Sequence, residues 1–189
     1  MTNQEWLAEV ERRIYINEGE EAYCYADSMG IPTIGCGFNS QRADAQSALT
    51  NIGVPDFAGV LSGDVGLTND QIDALFAYSF APIEDDARAS LATGVFHSLS
   101  DARRFVICDL EFNLGQRGWS GFTASRAIIN EAQAAKDAGN FVQASALFGI
   151  AADHLRESAW DGQVGNRARR DEAMMRSSGW VDANGDGST

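Results

Sequence analysis

Lysine is almost absent from this chain of 189 residues. Of its 14 basic residues only Lys136 is a lysine, and 27 aspartates and glutamates give a formal net charge of −13. Binding to nucleic acid needs basic surface that neutralises phosphates, so we expect no nucleic-acid partner, even for the arginines that follow Asn166. The same charge repels polyanionic surfaces unless salt screens it, which suggests a saline setting.

Long hydrophobic runs are missing as well. No stretch of about 18 apolar residues occurs, so we expect no transmembrane helix and no stable insertion into a membrane. Residues 1–6 lack a basic region followed by an apolar core, and we therefore expect no secretory signal peptide. If the protein acts outside the cytoplasm, a separate agent has to release it.

Cysteine and histidine are scarce and show no metal-ligand spacing, so we expect no metal site. The three cysteines are Cys24, Cys36 and Cys108. Cys24 and Cys36 lie on opposite arms of a predicted hairpin, where a disulfide is one interpretation. We favour the interpretation that the cysteines are small buried thiols in a reducing cytoplasm. His97 and His154 have no acid or cysteine cluster near them in sequence and fit structural roles.

The remaining sequence predicts a mainly helical α+β protein. Residues 4–16 have an amphipathic helical pattern with a capping box of Thr2 and Glu5. Residues 20–38 favour a small antiparallel sheet of two or three strands. Pro82 is expected to end or kink the helix before it. The further predicted helices cover 40–52, 68–81, 83–92, 101–114, 123–138, 140–152 and 166–178, and 54–67 is predicted as loop.

Two acids in different surroundings stand out near the N-terminus. Glu18 follows the first predicted helix, where the helix dipole disfavours a negative charge. Asp27 lies in the polar turn of the hairpin, and Thr33 lies on the return strand, where it could hold a water molecule. A protonated acid beside an ionised carboxylate is what hydrolysis of a glycosidic bond requires. On spacing alone, the interpretation that we favour is that both are ordinary surface acids.

Three segments together resemble a known family. Glu18, eight residues, Asp27, five residues and Thr33, followed by Ile-Gly-Cys-Gly at 34–37, resemble the catalytic signature of the T-even phage lysozymes, glycoside hydrolase family 24. Residues 112–115 with 121–125, and Trp160 with 165–170, resemble two further segments of that family. The three matches follow the family order and span nearly the whole chain.

The resemblance implies a role for each matching residue. Glu18 corresponds to the general acid, Asp27 to the carboxylate that activates water, and Thr33 to its helper in holding that water. The residues implied as contacts to the sugar chain or the acid are Phe112, Asn113, Ser125 and Arg167, of which Arg167 is expected to pair with Glu18. Phe38 stands where the family often has histidine, and Asn17 replaces a usual aspartate, which removes one partner for Arg167.

The family fold is two-lobed, with a small sheet lobe and a helical lobe joined by a long helix. On this chain it implies a single lysozyme-like domain over 1–181, with a small lobe at 18–67 and a connecting helix at 68–81. The segments 1–17 and 82–181 would form the helical lobe. The tail 182–189 imitates the first half of a calcium loop but ends before the bidentate acid, so we expect a solvated tail.

The implied activity is that of an N-acetylmuramidase, a phage endolysin that hydrolyses the β-1,4 bond between N-acetylmuramic acid and N-acetylglucosamine for host lysis. Its partner would be the peptidoglycan glycan chain, reached from the host cytoplasm through a separate holin, and we expect a monomer without cofactor. The resemblance favours inversion at the sugar carbon. Two alternatives are a lytic transglycosylase and a non-catalytic peptidoglycan-binding protein with the same fold.

Overall fold

A computed structural model of the chain describes residues 1–27, 29–156 and 165–181. The chain divides into two compact units, Met1–Pro82 and Ile83–Thr189. Helices predominate, and a small antiparallel sheet lies near the N-terminus, which confirms the predicted α+β class. The lobe boundaries suggested by the family stay predictions. Trp160 and the tail 182–189, including its calcium-loop resemblance, lie outside the described residues.

The first unit contains the sheet, helices around it and most of one long helix. Its elements, in chain order, are α1 (Asn3–Glu18), β1 (Glu21–Ala26), β2 (Pro32–Gly35), β3 (Phe38–Asn39), α2 (Ala45–Asn51), α3 (Phe57–Ser62) and α4 (Asn69–Ala89). Helix α4 continues past Pro82 into the second unit.

Helix α1 begins with the predicted capping box. The Thr2 backbone N–H donates to Glu5 Oε2 at 2.7 Å, and the Glu5 N–H donates to Thr2 Oγ1 at 3.2 Å. These reciprocal bonds satisfy two backbone donors that a helix start otherwise leaves unpaired. The buried face of α1 packs on α4, where the rings of Trp6 and Phe80 lie 6.1 Å apart. The helix is thereby fixed along its length, and its C-terminal end is held near the sheet.

The sheet has the strand order β1-β2-β3, and both strand pairs are antiparallel. Tyr25 in β1 pairs with Thr33 in β2, which pairs in turn with Asn39 in β3. One face covers an apolar core in which Ile34 and Leu75 are fully or almost fully buried. This core holds the hairpin on α4 and so fixes the turn between β1 and β2.

Three predictions of secondary structure in this unit are wrong. Helix α2 starts at Ala45, because residues 40–44 form turns, and α3 lies inside the stretch predicted as loop. Pro82 does not end the helix, and the helices predicted at 68–81 and 83–92 are the single helix α4, which runs on to Ala89. A proline inside a helix removes one backbone hydrogen bond. Burial of Phe80 before it and Ala87 after it offsets that loss.

The second unit consists of helices wherever the structure describes regular elements in it. After the end of α4 come α5 (Val95–Ser98), α6 (Asp101–Ser120), α7 (Thr123–Asp137), α8 (Phe141–Arg156) and α9 (Asn166–Ser177). The predicted helices here agree with these bounds to within a few residues, except for α5, which sequence reasoning missed, and for the end of α6.

Helix α6 is the buried centre of this unit, as its apolar pattern predicted. Val106 and Leu110 are completely buried, and the Arg103 N–H donates to Ser100 Oγ at 3.4 Å as the helix begins. Gly115 was predicted to stop the helix. It does leave helical geometry, with φ 65° and ψ 169°, but helical turns resume and continue to Ser120. The positive φ is favourable for glycine because it has no Cβ.

All three cysteines fall within the described part of the chain and are free thiols, so Cys24 and Cys36 are not joined. Cys36 and Cys108 are buried and Cys24 is partly buried, which agrees with the interpretation that we favoured. Among the described residues, no helix combines the length and the apolar character needed to cross a membrane.

Candidate active site

The turn between β1 and β2 fixes the position of Asp27. Its Oδ1 atom accepts hydrogen bonds from the backbone N–H groups of Met29 and Ile31, both at 2.8 Å. The Asp27 N–H donates to Ile31 O at 3.0 Å, and the Gly30 N–H donates to Asp27 O at 2.9 Å. This is a turn closed by the side chain of its first residue. Within the described residues, none of these bonds uses Oδ2, which is left to act on a ligand.

Thr33 lies on the return strand of the same hairpin and is almost completely buried, at 4% exposure. Its hydroxyl donates to Ile31 O at 3.0 Å. Because the hydroxyl proton is used in that bond, the Thr33 oxygen can only accept hydrogen bonds from a further group. A water molecule bound here would therefore donate to Thr33 and keep its own lone pairs for another task.

Glu18 is the last residue of α1, and its side chain is exposed. The sequence predicted it just past the helix end. Helix α1 stops there because Gly19 takes φ 81° while its N–H donates to Tyr15 O at 2.8 Å. Strand β1 starts at Glu21, so the acid stands at the junction of the helix and the hairpin that carries Asp27.

Two aromatic side chains of β1 were not predicted as part of the site. Tyr23 is 57% exposed and Tyr25 is 36% exposed. The register of β1 shifts between Glu21 and Tyr25, but both tyrosines are exposed while Cys24 between them is partly buried, which indicates that they share one face of the sheet. Partial burial and the charges of Glu21 and Asp27 raise the pKa of Tyr25. The pattern of aromatics at every second residue before Asp27 was the available sequence signal.

Arg167 belongs to the second unit, at the start of α9, and its described partner is Asp109 of α6. Its Nε donates to Asp109 Oδ2 at 2.7 Å and its Nη2 to Asp109 Oδ1 at 2.9 Å, a bidentate pair in which Asp109 is wholly buried. Burial, and then the charge of Asp109, hold the pKa of Asp171 well above its usual range. The neutral form of Asp171 is thus favoured beside Asp109 and the arginine. Sequence reasoning missed this cluster, and the pairing of Arg167 with Glu18 stays a prediction.

The other predicted sugar contacts lie in the second half of α6 and the first turn of α7. Phe112 and Asn113 precede Gly115 in α6, and Asn113 is exposed. Ser125 lies in the first turn of α7 and is buried. Their contacts to a sugar chain stay predictions.

His97 and His154 lie in the helices α5 and α8, and His97 packs edge-on against Phe96 at 5.6 Å between ring centres. Across the residues that the structure describes, no group of three or more histidine, cysteine, aspartate or glutamate side chains could hold a metal ion. The geometry of the hairpin thus remains the strongest candidate for chemistry in the first unit.

Comparison with known proteins assigns the chain to a family. An endolysin of Salmonella phage P22 is 30% identical to it over 127 residues, which cover 67% of this chain and 75% of that protein. The chain belongs to the phage lysozyme-type endolysins. No protein-family model matches it. This distant sequence relationship is independent of the positions of Glu18 and Asp27 described above.

Proposed function

We propose that the protein is a muramidase of the T-even phage type, glycoside hydrolase family 24. It hydrolyses the β-1,4 bond between N-acetylmuramic acid and N-acetylglucosamine in peptidoglycan. The observation that carries this proposal is the hairpin itself. Two backbone N–H groups hold Asp27 through Oδ1, and the Thr33 oxygen on the same hairpin is restricted to accepting hydrogen bonds.

In the proposed reaction Glu18 is the general acid that protonates the leaving oxygen. A water molecule donates one hydrogen bond to Asp27 Oδ2 and the other to Thr33 Oγ1, which directs its lone pair at the sugar carbon. Asp27 takes the proton as the new C–O bond forms. Attack by water in a single displacement inverts the configuration, and this outcome requires carboxyl groups roughly 6.5–9.5 Å apart.

Residues of the second unit are proposed to bind the glycan chain. Phe112, Asn113 and Ser125 contact the sugars, and Arg167 acts as the partner of Glu18. The Asp109 carboxylate holds the guanidinium of Arg167 by two hydrogen bonds, which restricts its orientation.

The proposed biology is lysis of the host cell. The protein would act as a monomer without a cofactor, accumulate in the host cytoplasm and reach the wall when a separate holin opens the membrane. The relationship to an endolysin of Salmonella phage P22 supports this role.

The deciding experiment compares variants on permeabilised Gram-negative cells, with turbidity and the release of reducing ends as readouts. Glu18→Gln and Asp27→Asn are each expected to lower activity by about 10²-fold or more, because each removes acid/base catalysis. Asp27→Asn keeps an oxygen that can accept the Met29 and Ile31 bonds, so the fold should survive. Thr33→Ser should retain activity and Thr33→Val should lose it.

The exposed acid Glu21, three residues after Glu18, gives a matched control, since Glu21→Gln should leave activity unchanged. Products with an anhydro-sugar end would identify a lytic transglycosylase instead. Binding to peptidoglycan without release of reducing ends, with no effect of Glu18→Gln, would identify a non-catalytic binding protein.

A further inference from the structure

The second unit contains a polar cavity that the proposed reaction does not use. Its volume is about 320 Å³, enough for a small organic molecule. It lies where the end of α4, the second half of α6 and the start of α7 meet. The side chains that matter for what it could bind are Asp86, Ser90, Glu111, Arg117, Trp119 and Arg126.

Glu111 is the side chain that points most clearly to a binding role for this cavity. It is only 4% exposed, it lines the cavity, and its Oε1 atom has no hydrogen-bond partner among the described residues. A buried carboxyl oxygen without a partner is energetically unfavourable, and a bound donor would relieve that cost. Its direct neighbours in the chain, Leu110 and Phe112, are apolar.

The charges beside Glu111 favour a cation. Burial raises the pKa of Glu111 most, the negative charge of Asp86 raises it further, and the positive charge of Arg126 lowers it by a smaller amount. Two carboxyl groups facing one cavity repel each other, and an ammonium group bound near both would relieve that repulsion.

Two further wall residues, Arg126 and Trp119, are held by hydrogen bonds to the chain, although Arg126 Nε has no partner among the described residues. Arg126 donates to Ser90 O at 3.3 Å and to Ser120 O at 2.9 Å, which ties α7 to the chain on either side. The Trp119 indole donates to Ser90 Oγ at 2.8 Å, so this buried ring offers an apolar wall. Arg117 is exposed, and the described hydrogen bonds do not use its guanidinium. It can bind a carboxylate at the mouth of the cavity.

We propose that this cavity binds a small aliphatic amino acid, with its ammonium group at Glu111 and Asp86 and its carboxylate at Arg117. The apolar stem of the ligand packs against Trp119. None of these residues belongs to the proposed catalytic set, so the site is a second binding site of the protein.

Isothermal titration calorimetry with glycine, 4-aminobutyrate and 6-aminohexanoate tests the proposal. These ligands differ in the distance between their ammonium group and their carboxylate, so the one that binds most tightly shows which separation fits the cavity. We expect saturable binding of one or more of them, with a Kd of about 1 mM. Butyrate lacks the ammonium group and butylamine lacks the carboxylate, so each should bind at least roughly tenfold more weakly.

Glu111→Gln should weaken binding roughly tenfold or more, and so should Arg117→Gln. Arg169→Gln, a change of the same type at an exposed arginine of α9 outside the cavity, should leave the binding affinity unchanged. Arg117 is exposed, so its variant keeps the test valid if Glu111→Gln fails to fold. The proposal is overturned if none of the three amino acids binds, if Arg117→Gln binds them as the natural protein does, or if butyrate binds as tightly as 4-aminobutyrate.

Discussion

The stability of the first unit should depend on pH through one carboxyl group of α1. Glu11 accepts a hydrogen bond from the Tyr15 hydroxyl at 2.8 Å, and the Asp73 carboxylate of α4 lies within hydrogen-bonding reach. Burial raises the pKa of Glu11 from 4.5 to about 7, the charges of Asp73 and Glu20 add to the rise, and the Tyr15 bond opposes it. A protonated Glu11 can donate to Asp73 and so join α1 to α4.

The sign and size of the effect follow from this pKa. Because the folded-state pKa exceeds the unfolded value, the stabilisation is fully present below pH 4.5 and is lost as the pH rises through about 7. A rise from 4.5 to about 7 corresponds to about 3 kcal/mol of unfolding free energy. Glu11 is only partly buried, and solvent screening reduces this to about 1.5 kcal/mol.

Glu11→Gln isolates this contribution, because glutamine accepts from Tyr15, donates to Asp73 and carries no charge at any pH. We expect urea unfolding to show the variant gaining about 1.5 kcal/mol relative to the natural protein between about pH 4.5 and 8. Glu21→Gln, which removes an exposed acid from the same unit, should show no such trend. The reasoning is refuted if the difference for Glu11→Gln stays constant within about 0.3 kcal/mol over that range.

Three other substitutions test separate parts of the structure by chemical unfolding. Arg167→Met leaves the buried Asp109 carboxylate without its partner and should cost about 3–5 kcal/mol, whereas a loss below about 1 kcal/mol would contradict a buried pair. Thr2→Ala removes the capping box of α1 and should cost about 1 kcal/mol, with Thr2→Ser close to neutral. Trp119→Phe loses the bond to Ser90 and should cost about 1 kcal/mol, and an unchanged midpoint would show that the bond contributes nothing.

The elements with strong local signals could be predicted from the sequence. The capping box of α1, the hairpin around Asp27 and the buried character of α6 each depend on residues close together in the chain. Gly115 was correctly identified as a break, but the turns after it were not predicted. Packing within the folded unit decides whether a helix resumes after such a break, and local sequence does not contain that information. The same holds for Pro82, where burial on both sides maintains α4.

The polar groups buried by tertiary structure could not be predicted. Asp109 and Arg167 are 58 positions apart, and Asp109 stands in an apolar run that gave no sign of an ion pair. The burial of Glu111, two residues later, was not predicted either. The sequence signal that could have revealed it is the presence of acids in a helix whose other residues are mostly apolar. The family resemblance pointed to Arg167 through a different partner, so it identified a functional candidate but not the contact that fixes its side chain.

The three free thiols differ in their access to reagents. Burial holds the pKa of the Cys108 thiol well above its usual range, and Cys36 is also buried, so both should react slowly with maleimides, whereas Cys24 is partly exposed. Cys24 lies between Tyr23 and Tyr25 in β1, with its side chain on the opposite face of the strand. The natural protein therefore carries its own attachment point for a fluorophore, one that leaves the tyrosine face uncovered while it reports on events at the hairpin.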